Sequence, residues 1–396
     1  MRVLANPEPS ASPFTPGYGR RPIVYAGHER EIAELVEVFD TLDFGENQSV
    51  LVSGLRGAGK TSMLALLQDE ARRRGWVVIS DDASSGLMER VMESTIPRIV
   101  EEFATAPSAR VSGFNVMQFG LTLERTRQPR NAKPLLRHDL VALSAALERT
   151  GILITIDEVS SGAVRLRELS KFALQVAHAM NDGANVMIVF AGIRVNLEAL
   201  LTQEHTTFLR RSREIDVRLL SPGQVKTVLT ETVRIGGRSI DDDALDRLVS
   251  ISQGYPYLVQ LVGDYAWRND PRADTITRED AEVAFDRAIT AVQRRVISRV
   301  FDDLSERDQA FLAAMAQDDG PTKMADVVSR MGVSDQYAQV YKNRLIESGY
   351  VESAGRGYVR FSLPYLDQYV RALMKADEPT QGDDDEGWKA YPAPRL

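Results

Sequence analysis

The residues with the clearest chemical potential lie in the segment GLRGAGKTS, which begins at Gly54. Gly54, Gly59, Lys60 and Thr61 fit the pattern G-x-x-x-x-G-K-[ST] in full. Glycines let a loop curl until successive backbone N–H groups point at one anion, and a helix that starts directly afterwards adds its positive end. Lys60 can then reach the β- and γ-oxygens of a nucleotide, and the Thr61 hydroxyl can bind Mg²⁺. The predicted phosphate-binding residues are Gly54, Leu55, Arg56, Gly57, Ala58, Gly59, Lys60, Thr61 and Ser62.

A second candidate element is the acidic pair at the end of GILITIDE. Asp157 would hold Mg²⁺ through water, and Glu158 would act as general base on the attacking water. The competing interpretation is an acidic N-cap for the following helix. The pair favours ATP hydrolysis over a kinase or a GTPase, since the base-recognition motif NKxD of GTPases is missing.

The elements that must position these residues are short apolar strands alternating with helices. The strand candidates are SVLVS (49–53), WVVIS (76–80), GILITID (151–157) and NVMIVFAG (185–192), and a helix is predicted from Glu29 to about Leu42. Strands that are apolar on both faces are typical of a buried parallel sheet. The pattern predicts an α/β fold: a P-loop NTPase parallel sheet.

Length and composition set limits on the remaining chain. At 396 residues the chain is too long for one compact core. The absence of cysteine excludes disulfides and thiolate chemistry, and the four histidines are not paired at metal-ligand spacing. The net charge of −8 argues against a general polyanion binder. No apolar stretch is long enough to span a bilayer, so a cytoplasmic protein without a membrane partner is expected.

Changes in pattern along the sequence predict five parts. These are an extended N-terminal segment (1–22), the nucleotide-binding domain (23–220), a helical lid (221–300), a winged helix (301–375) and a disordered acidic tail (376–396). Residues 111–124 alternate like a hairpin, and a basic loop follows with Arg125, Arg127, Arg130, Lys133 and Arg137. This insertion is either an exposed, solvated hairpin or a basic surface for a polynucleotide or a neighbouring subunit.

Together these motifs resemble an AAA+ ATPase of the initiator type, the origin-recognition/cell-division-control group and its bacterial relatives. Affinities to the signal-transduction (STAND) ATPases are also present, and the resemblance covers about residues 10–372. It implies that PFTPGYGRRPIVYAGHEREIAEL, with Val24, lies over the adenine of ATP. Gly27 and Glu29 stand in the family's G-R-E turn, where His28 replaces the usual arginine.

The sequence departs from the AAA+ pattern after the fourth strand. A polar sensor residue normally ends that strand, and here Ala191 and Gly192 do. The resemblance leaves Arg194 or Asn196 to take over this role.

Two further features follow from the resemblance. TTFLRRSREIDVRLLSP is similar to the segment that offers an arginine finger to a neighbour's γ-phosphate, with Arg211 as first choice and Arg210 as second. A solvated basic helix is the alternative. GYPYLVQLVG carries the G-x-P signature of the signalling branch in Gly254 and Pro256, which implies lid control by packing on the phosphates.

The winged helix is the predicted DNA-binding module. Its candidate contacts are Gln336, Gln339, Lys342, Arg344, Arg356 and Arg360. Residues 301–375 contain nine Lys and Arg against eleven Asp and Glu, a net charge of −2, and an acidic module binds DNA weakly unless its charges are segregated. A protein-interaction module is the alternative.

The sequence therefore predicts an AAA+-type ATPase that binds ATP and Mg²⁺ and hydrolyses ATP slowly. The nucleotide state would control homo-oligomer assembly or engagement of double-stranded DNA. The first rival is a signalling switch with a protein-binding winged helix. The second is a DNA-binding regulator with a structural nucleotide site, against which the intact set Lys60, Asp157 and Glu158 argues.

Overall fold

A five-stranded parallel sheet forms the centre of residues 15–228, one of the two units into which the chain divides. The computed structural model describes residues 11–17, 20–105, 135–147 and 149–376. The predicted hairpin at 111–124, the basic residues Arg125, Arg127, Arg130 and Lys133, and the tail from residue 377 onwards lie outside the described residues.

The sheet has the strand order β2-β3-β4-β1-β5, and every neighbouring pair is parallel. Its strands are β1 (Ser49–Gly54), β2 (Val77–Asp82), β3 (Ile152–Val159), β4 (Val186–Gly192) and β5 (Arg213–Val217). The first four coincide with the predicted apolar runs. β5 has the sequence REIDV, and its alternating charges kept it out of the sequence prediction. The α/β fold predicted from the sequence is confirmed.

Helices cover both faces of this sheet. They are α1 (Glu29–Thr41), α2 (Lys60–Arg73), Leu87–Glu89, Ile96–Thr105, Leu136–Ala146, Ala163–Asn181 and Arg194–Leu201, with a π-helical turn at Arg90–Thr95 and a 3₁₀ turn at Thr207–Arg211. One apolar cluster includes Ile154 and Phe172, and the other includes Leu35 and Leu153. Because residues on the two faces of β3 belong to different clusters, the strand is apolar at nearly every position, and Thr155 is its one polar residue before the acidic pair at its end.

The second unit comprises residues 229–396 together with 1–14. Its described helices run Asp242–Ser252, Pro256–Asn269, Arg278–Val292, Ser298–Asp302, Glu306–Met315, Met324–Met331, Asp335–Glu347 and Leu366–Ala376, while Pro222–Ile235 spans the boundary of the two units. The short strands β6 (Ser239–Ile240) and β7 (Thr275–Ile276) pair in parallel, and a π-helical turn lies at Gln293–Ile297. The N-terminal segment contributes Phe14, whose ring is buried against Gly263. An added Cβ on that glycine would lie 2.3 Å from the ring.

The last part of this unit combines four helices with a small antiparallel sheet. The sheet has the order β8-β10-β9, from Thr322–Lys323, Tyr358–Phe361 and Val351–Ser353. The first of the four helices, Glu306–Met315, begins at a capping box in which the Ser305 hydroxyl accepts a hydrogen bond from the backbone N–H of Asp308. The Tyr365 hydroxyl donates to the carbonyl of Ile251 at 2.7 Å and connects this part to the preceding helices. Among the described helices of both units, none combines the length and apolar character that a membrane crossing requires.

Candidate functional site

The predicted phosphate-binding loop connects the carboxyl end of β1 to the first residue of α2, Lys60. Gly57 and Gly59 have φ angles of 78° and 103°, in the left-handed region that favours glycine. A Cβ on Gly54 would lie 2.6 Å from the backbone oxygen of Val217 on β5, so only glycine allows this close approach of the two strands. The loop and its backbone N–H groups therefore lie at the N-terminus of α2, as an anion-binding loop requires.

The Lys60 side chain is half-buried and lies within its own loop. Its ammonium donates to the carbonyl of Gly54 at 2.9 Å and to that of Leu55 at 2.8 Å. Burial lowers the pKa of Lys60 from 10.5 to about 8, against the opposing effect of the nearby Asp157 carboxylate. Phosphate oxygens are stronger acceptors than these two carbonyls, so a bound nucleotide would draw the ammonium away from them.

The acidic pair lies next to the loop in space. The Thr61 hydroxyl donates to Oδ2 of Asp157 at 2.6 Å, although the two residues are far apart in the sequence. Oδ1 of Asp157 accepts from the backbone N–H of Glu158 at 2.8 Å, and the Glu158 side chain is exposed. The N-cap interpretation does not describe this pair, because both residues belong to β3 and the next helix begins at Ala163.

A buried polar contact holds α2 against the sheet behind this site. The Gln68 side-chain amide donates to the Ser80 hydroxyl at 2.9 Å and to the Thr155 hydroxyl at 2.8 Å. Thr155 is fully buried, and it lies two residues before Asp157 on β3. Since α2 carries Thr61, the contact keeps the loop and the acidic pair in register. Gln68 was not predicted from the sequence, although a polar residue on the apolar face of α2 could have indicated it.

The end of β4 brings a further group to the same edge of the sheet. Arg194, the first residue of the helix after β4, lies 3.9 Å from Oδ2 of Asp216 on β5. Asp216 also accepts from Ser53 at 3.4 Å and from Arg218 at 3.0 Å. Arg194 is therefore at the level of the loop but faces a carboxylate, and the sequence reasoning did not identify Asp216.

The segment predicted to cover the adenine lies beside α1 and α2. A cavity of about 570 Å³ is bounded by this segment and by both helices. Ile23 and Tyr25 line the cavity together with Ser62 and Leu66 of α2, whereas Val24 between them is half-buried and does not line it. Burial, with Glu29 nearby, raises the pKa of the Tyr25 phenol. Pro256 belongs to the other unit, where it begins a helix after Gly254 with φ 75°.

The two arginine-finger candidates lie at the opposite edge of the sheet from the loop. Arg210 and Arg211 end the 3₁₀ turn just before β5, and both are exposed. In the β1–β5 register Arg213 pairs with Val50, whereas Gly54 pairs with Val217. With about 3.3 Å per residue, four residues separate this turn from the loop by roughly 13 Å. Neither arginine lies at the phosphate-binding loop of its own chain.

Several of the basic residues predicted to contact DNA form ion pairs or hydrogen bonds with other residues of the chain. Arg344 forms an ion pair of 2.9 Å with Asp308, which is fully buried, and Arg360 forms one of 2.5 Å with Glu352. Lys342 donates to the Gln339 side chain at 3.4 Å. Two of the four basic side chains predicted to contact DNA, Arg344 and Arg360, are thus paired with carboxylates of the chain itself.

The arrangement can bind and polarise a phosphate chain. It offers one ammonium, a set of loop N–H groups, a hydroxyl and a carboxylate in contact, and a second, exposed carboxylate. Within the described residues no group of three or more His, Asp or Glu side chains could hold a metal on its own. A divalent ion here would need ligands from a nucleotide as well as from Thr61 and Asp157.

Two parts of the chain match models of known protein families. Residues 25–189 match a family model described as AAA ATPase domain, and residues 294–370 match one described as Domain of unknown function (DUF8462). No curated protein matches the sequence.

Solved structures share the fold over most of the chain. The Walker-type ATPase of Pyrococcus abyssi is 16% identical with a TM-score of 0.61, over 89% of this chain and 97% of that one. The ORC2 protein of Aeropyrum pernix, solved in ADPNP–ADP complexes, is 14% identical with a TM-score of 0.61, over 91% and 97%. The ADP form of the same protein is 14% identical with a TM-score of 0.52, over 92% of this chain and 98% of that one. Residues 25–189 of the chain are therefore similar to the AAA ATPase domain family, and its α/β fold is the one seen in these solved ATPase and ORC2 structures.

Proposed function

We propose that this protein binds ATP with Mg²⁺, hydrolyses it slowly, and uses the nucleotide state as a switch. The observation that carries the proposal is the 2.6 Å contact between Thr61 and Asp157, with the Lys60 ammonium in the same loop. A hydroxyl and a carboxylate oxygen so close together can bind one hard cation beside the phosphates, so the residues fit Mg²⁺. When bound, Mg²⁺ would neutralise charge on the β- and γ-oxygens.

Residues of the chain itself are proposed to bind the phosphates, to accept the proton of the attacking water and to bind the adenine. Lys60 and the loop N–H groups would hold the phosphates, and the positive end of α2 would add to this attraction. Glu158 would accept the proton of the water that attacks the γ-phosphorus, as the bond to the leaving ADP oxygen breaks. The adenine is proposed to lie by the segment that contains Val24.

The measurements that test this proposal are the rate of ATP hydrolysis, and the particle size with and without nucleotide. A nucleotide-dependent change of particle size together with turnover would support a switch that acts through assembly. Turnover without any change of size or conformation would contradict the switch.

Arg211 is proposed to act on the nucleotide of a neighbouring copy, since it lies far from its own loop. An arginine finger is worth on the order of 10³ in rate or more. We expect Arg211→Ala to bind ATP normally and to hydrolyse it at about one thousandth of the wild-type rate or less. Arg210→Ala is the matched control, because Arg210 donates to the carbonyl of Leu201 in its own chain at 3.3 Å.

Mixing two inactive variants tests the shared site directly. Arg211→Ala keeps Glu158, and Glu158→Gln keeps Arg211, so a mixed assembly contains some interfaces with both groups. Recovery of ATPase activity in the mixture is the expected result. A mixture as inactive as its parts would contradict a finger supplied by a neighbour.

For residues 301–375 the order of elements supports a winged helix, and two candidate functions follow from it. DNA engagement would use Lys342, Arg344, Arg356 and Arg360. The specific observation that favours a protein partner is the pairing of Arg344 and Arg360 with carboxylates, while Tyr337 and Val340 on the helix Asp335–Glu347 are 39% and 59% exposed. We therefore propose that this surface binds protein.

Salt dependence separates these two candidates. If the surface contacted DNA, the double variant Lys342→Ala, Arg356→Ala would lose two phosphate contacts and its log–log salt slope would become shallower by about two units. If the surface binds protein, any duplex binding by the wild-type chain and by the double variant should show the same salt slope between about 50 and 200 mM salt. A shallower slope in the variant would restore DNA engagement as the function of this surface.

A further inference from the structure

The end of β3 contains a bulge at the acidic pair. In the pairing with β4, Ile156 lies opposite Phe190 and Val159 lies opposite Gly192, so β3 has one extra residue between these two pairs. Glu158 lies in the bulge with φ 54°, a left-handed conformation that residues other than glycine seldom adopt. Bulges next to active sites re-aim side chains, and an unfavourable backbone conformation persists only where its surroundings hold it.

One side chain holds the backbone directly after this bulge. The Asn196 amide nitrogen Nδ2 donates to the carbonyl oxygen of Val159 at 2.8 Å. Asn196 is half-buried and is the third residue of the helix Arg194–Leu201, which starts at the end of β4. Val159 is 2% exposed, so water has little access to replace this donor.

Gly192, at the end of β4, lies close to the backbone of β3 at the bulge. A Cβ on Gly192 would lie 3.1 Å from both Cβ and the carbonyl oxygen of Val159. A larger residue at the end of β4 would therefore press on the bulge. This contact disfavours a larger side chain at Gly192, one of the two residues that end β4.

We propose that Asn196 is a positioning residue for hydrolysis: it fixes the Val159 carbonyl and thereby keeps the adjacent Glu158 in its left-handed conformation. The proposal rests on the proposed function, in which Glu158 is the general base. Asn196 acts through the backbone of β3, and its removal should change the rate of the chemical step and leave ATP binding intact.

The test compares Asn196→Ala and Asn196→Asp with the wild type in full-length protein, using kcat, KM for ATP and the melting temperature. Displacement of a catalytic group by about 1 Å can cost on the order of 100-fold in rate. We expect kcat to fall about 10- to 100-fold in Asn196→Ala, with KM within about twofold. Asn196→Asp has the native shape but turns an acceptor oxygen towards the Val159 carbonyl, so it should be at least as slow. Gln203→Ala is the matched control, since Gln203 donates its amide to the carbonyl of Ala199 at 3.3 Å just beyond the other end of the helix.

A double variant separates this role from a purely structural one. If Asn196 acts through Glu158, adding Asn196→Ala to Glu158→Gln should slow turnover by less than about twofold, since the base is already gone. The proposal would be overturned if the loss of kcat in the double variant equalled the product of the losses in the two single variants. It would also be overturned if Asn196→Asp had the wild-type kcat while Glu158→Gln was inactive. Wild-type turnover of Glu158→Gln itself would instead refute the base assignment in the proposed function, and the role of Asn196 with it.

Discussion

Replacing Lys60 by alanine is expected to weaken ATP binding by at least about 100-fold. Two hydrogen bonds from a charged donor to the β- and γ-oxygens would be lost, each worth about 1.5–3 kcal/mol. Within the loop the ammonium already lies against two carbonyls, so it needs only a short movement to reach a phosphate. Titration calorimetry with ATP and Mg²⁺ measures the effect.

Lys171→Ala is the control for this variant, because Lys171 is an exposed lysine of the same unit, on the helix Ala163–Asn181. It should bind ATP like the wild type. If a folded Lys60→Ala protein bound ATP with unchanged affinity, the assignment of the phosphate-binding loop would be wrong.

Replacing Glu158 by glutamine is expected to leave ATP affinity within about twofold and to lower kcat by about 10²- to 10⁴-fold. An amide keeps the size of the side chain but cannot accept the proton of the attacking water. The measurement is phosphate release at saturating ATP, with binding checked separately.

Asp82→Asn provides a matched control at the same edge of the sheet. Asp82 pairs with Asp157 in the β2–β3 register, and its carboxylate accepts from the backbone N–H of Ser84 at 3.0 Å. Hydrogen bonds from Ser84 hold the pKa of Asp82 below its usual value. The control should retain most of its turnover. Equal losses in the two variants would show that negative charge at this edge matters more than a base at Glu158.

The phosphate-binding loop and the acidic pair were predictable because their signals are local. The loop pattern spans eight consecutive residues, and the acidic pair directly follows an apolar run. Parallel strands place their carboxyl ends at one edge, so the contact between Thr61 and Asp157 also follows from the predicted fold. The sequence could not show that the Lys60 ammonium donates to the carbonyls of its own loop, since that depends on the path of the loop backbone in space.

Features that depend on register or on helix rotation were beyond the sequence. The bulge at Glu158 arises from the alignment of β3 with β4, and nothing in ILITIDEV indicates it. The ion pair of Arg344 with Asp308 depends on which face the helix Asp335–Glu347 turns inward, so the sequence could not show it. β5 was missed for a similar reason, because REIDV becomes a strand only through pairing with β1.

We propose that Lys60, Thr61, Asp157 and Glu158 form one site that hydrolyses ATP. The most direct measurement follows release of inorganic phosphate from ATP by the wild-type protein in the presence of Mg²⁺, with Lys60→Ala as the background. We expect repeated turnover by the wild type and none above background when Mg²⁺ is withheld. Phosphate release by the wild type that equals that of Lys60→Ala, in protein shown to be folded, would contradict it.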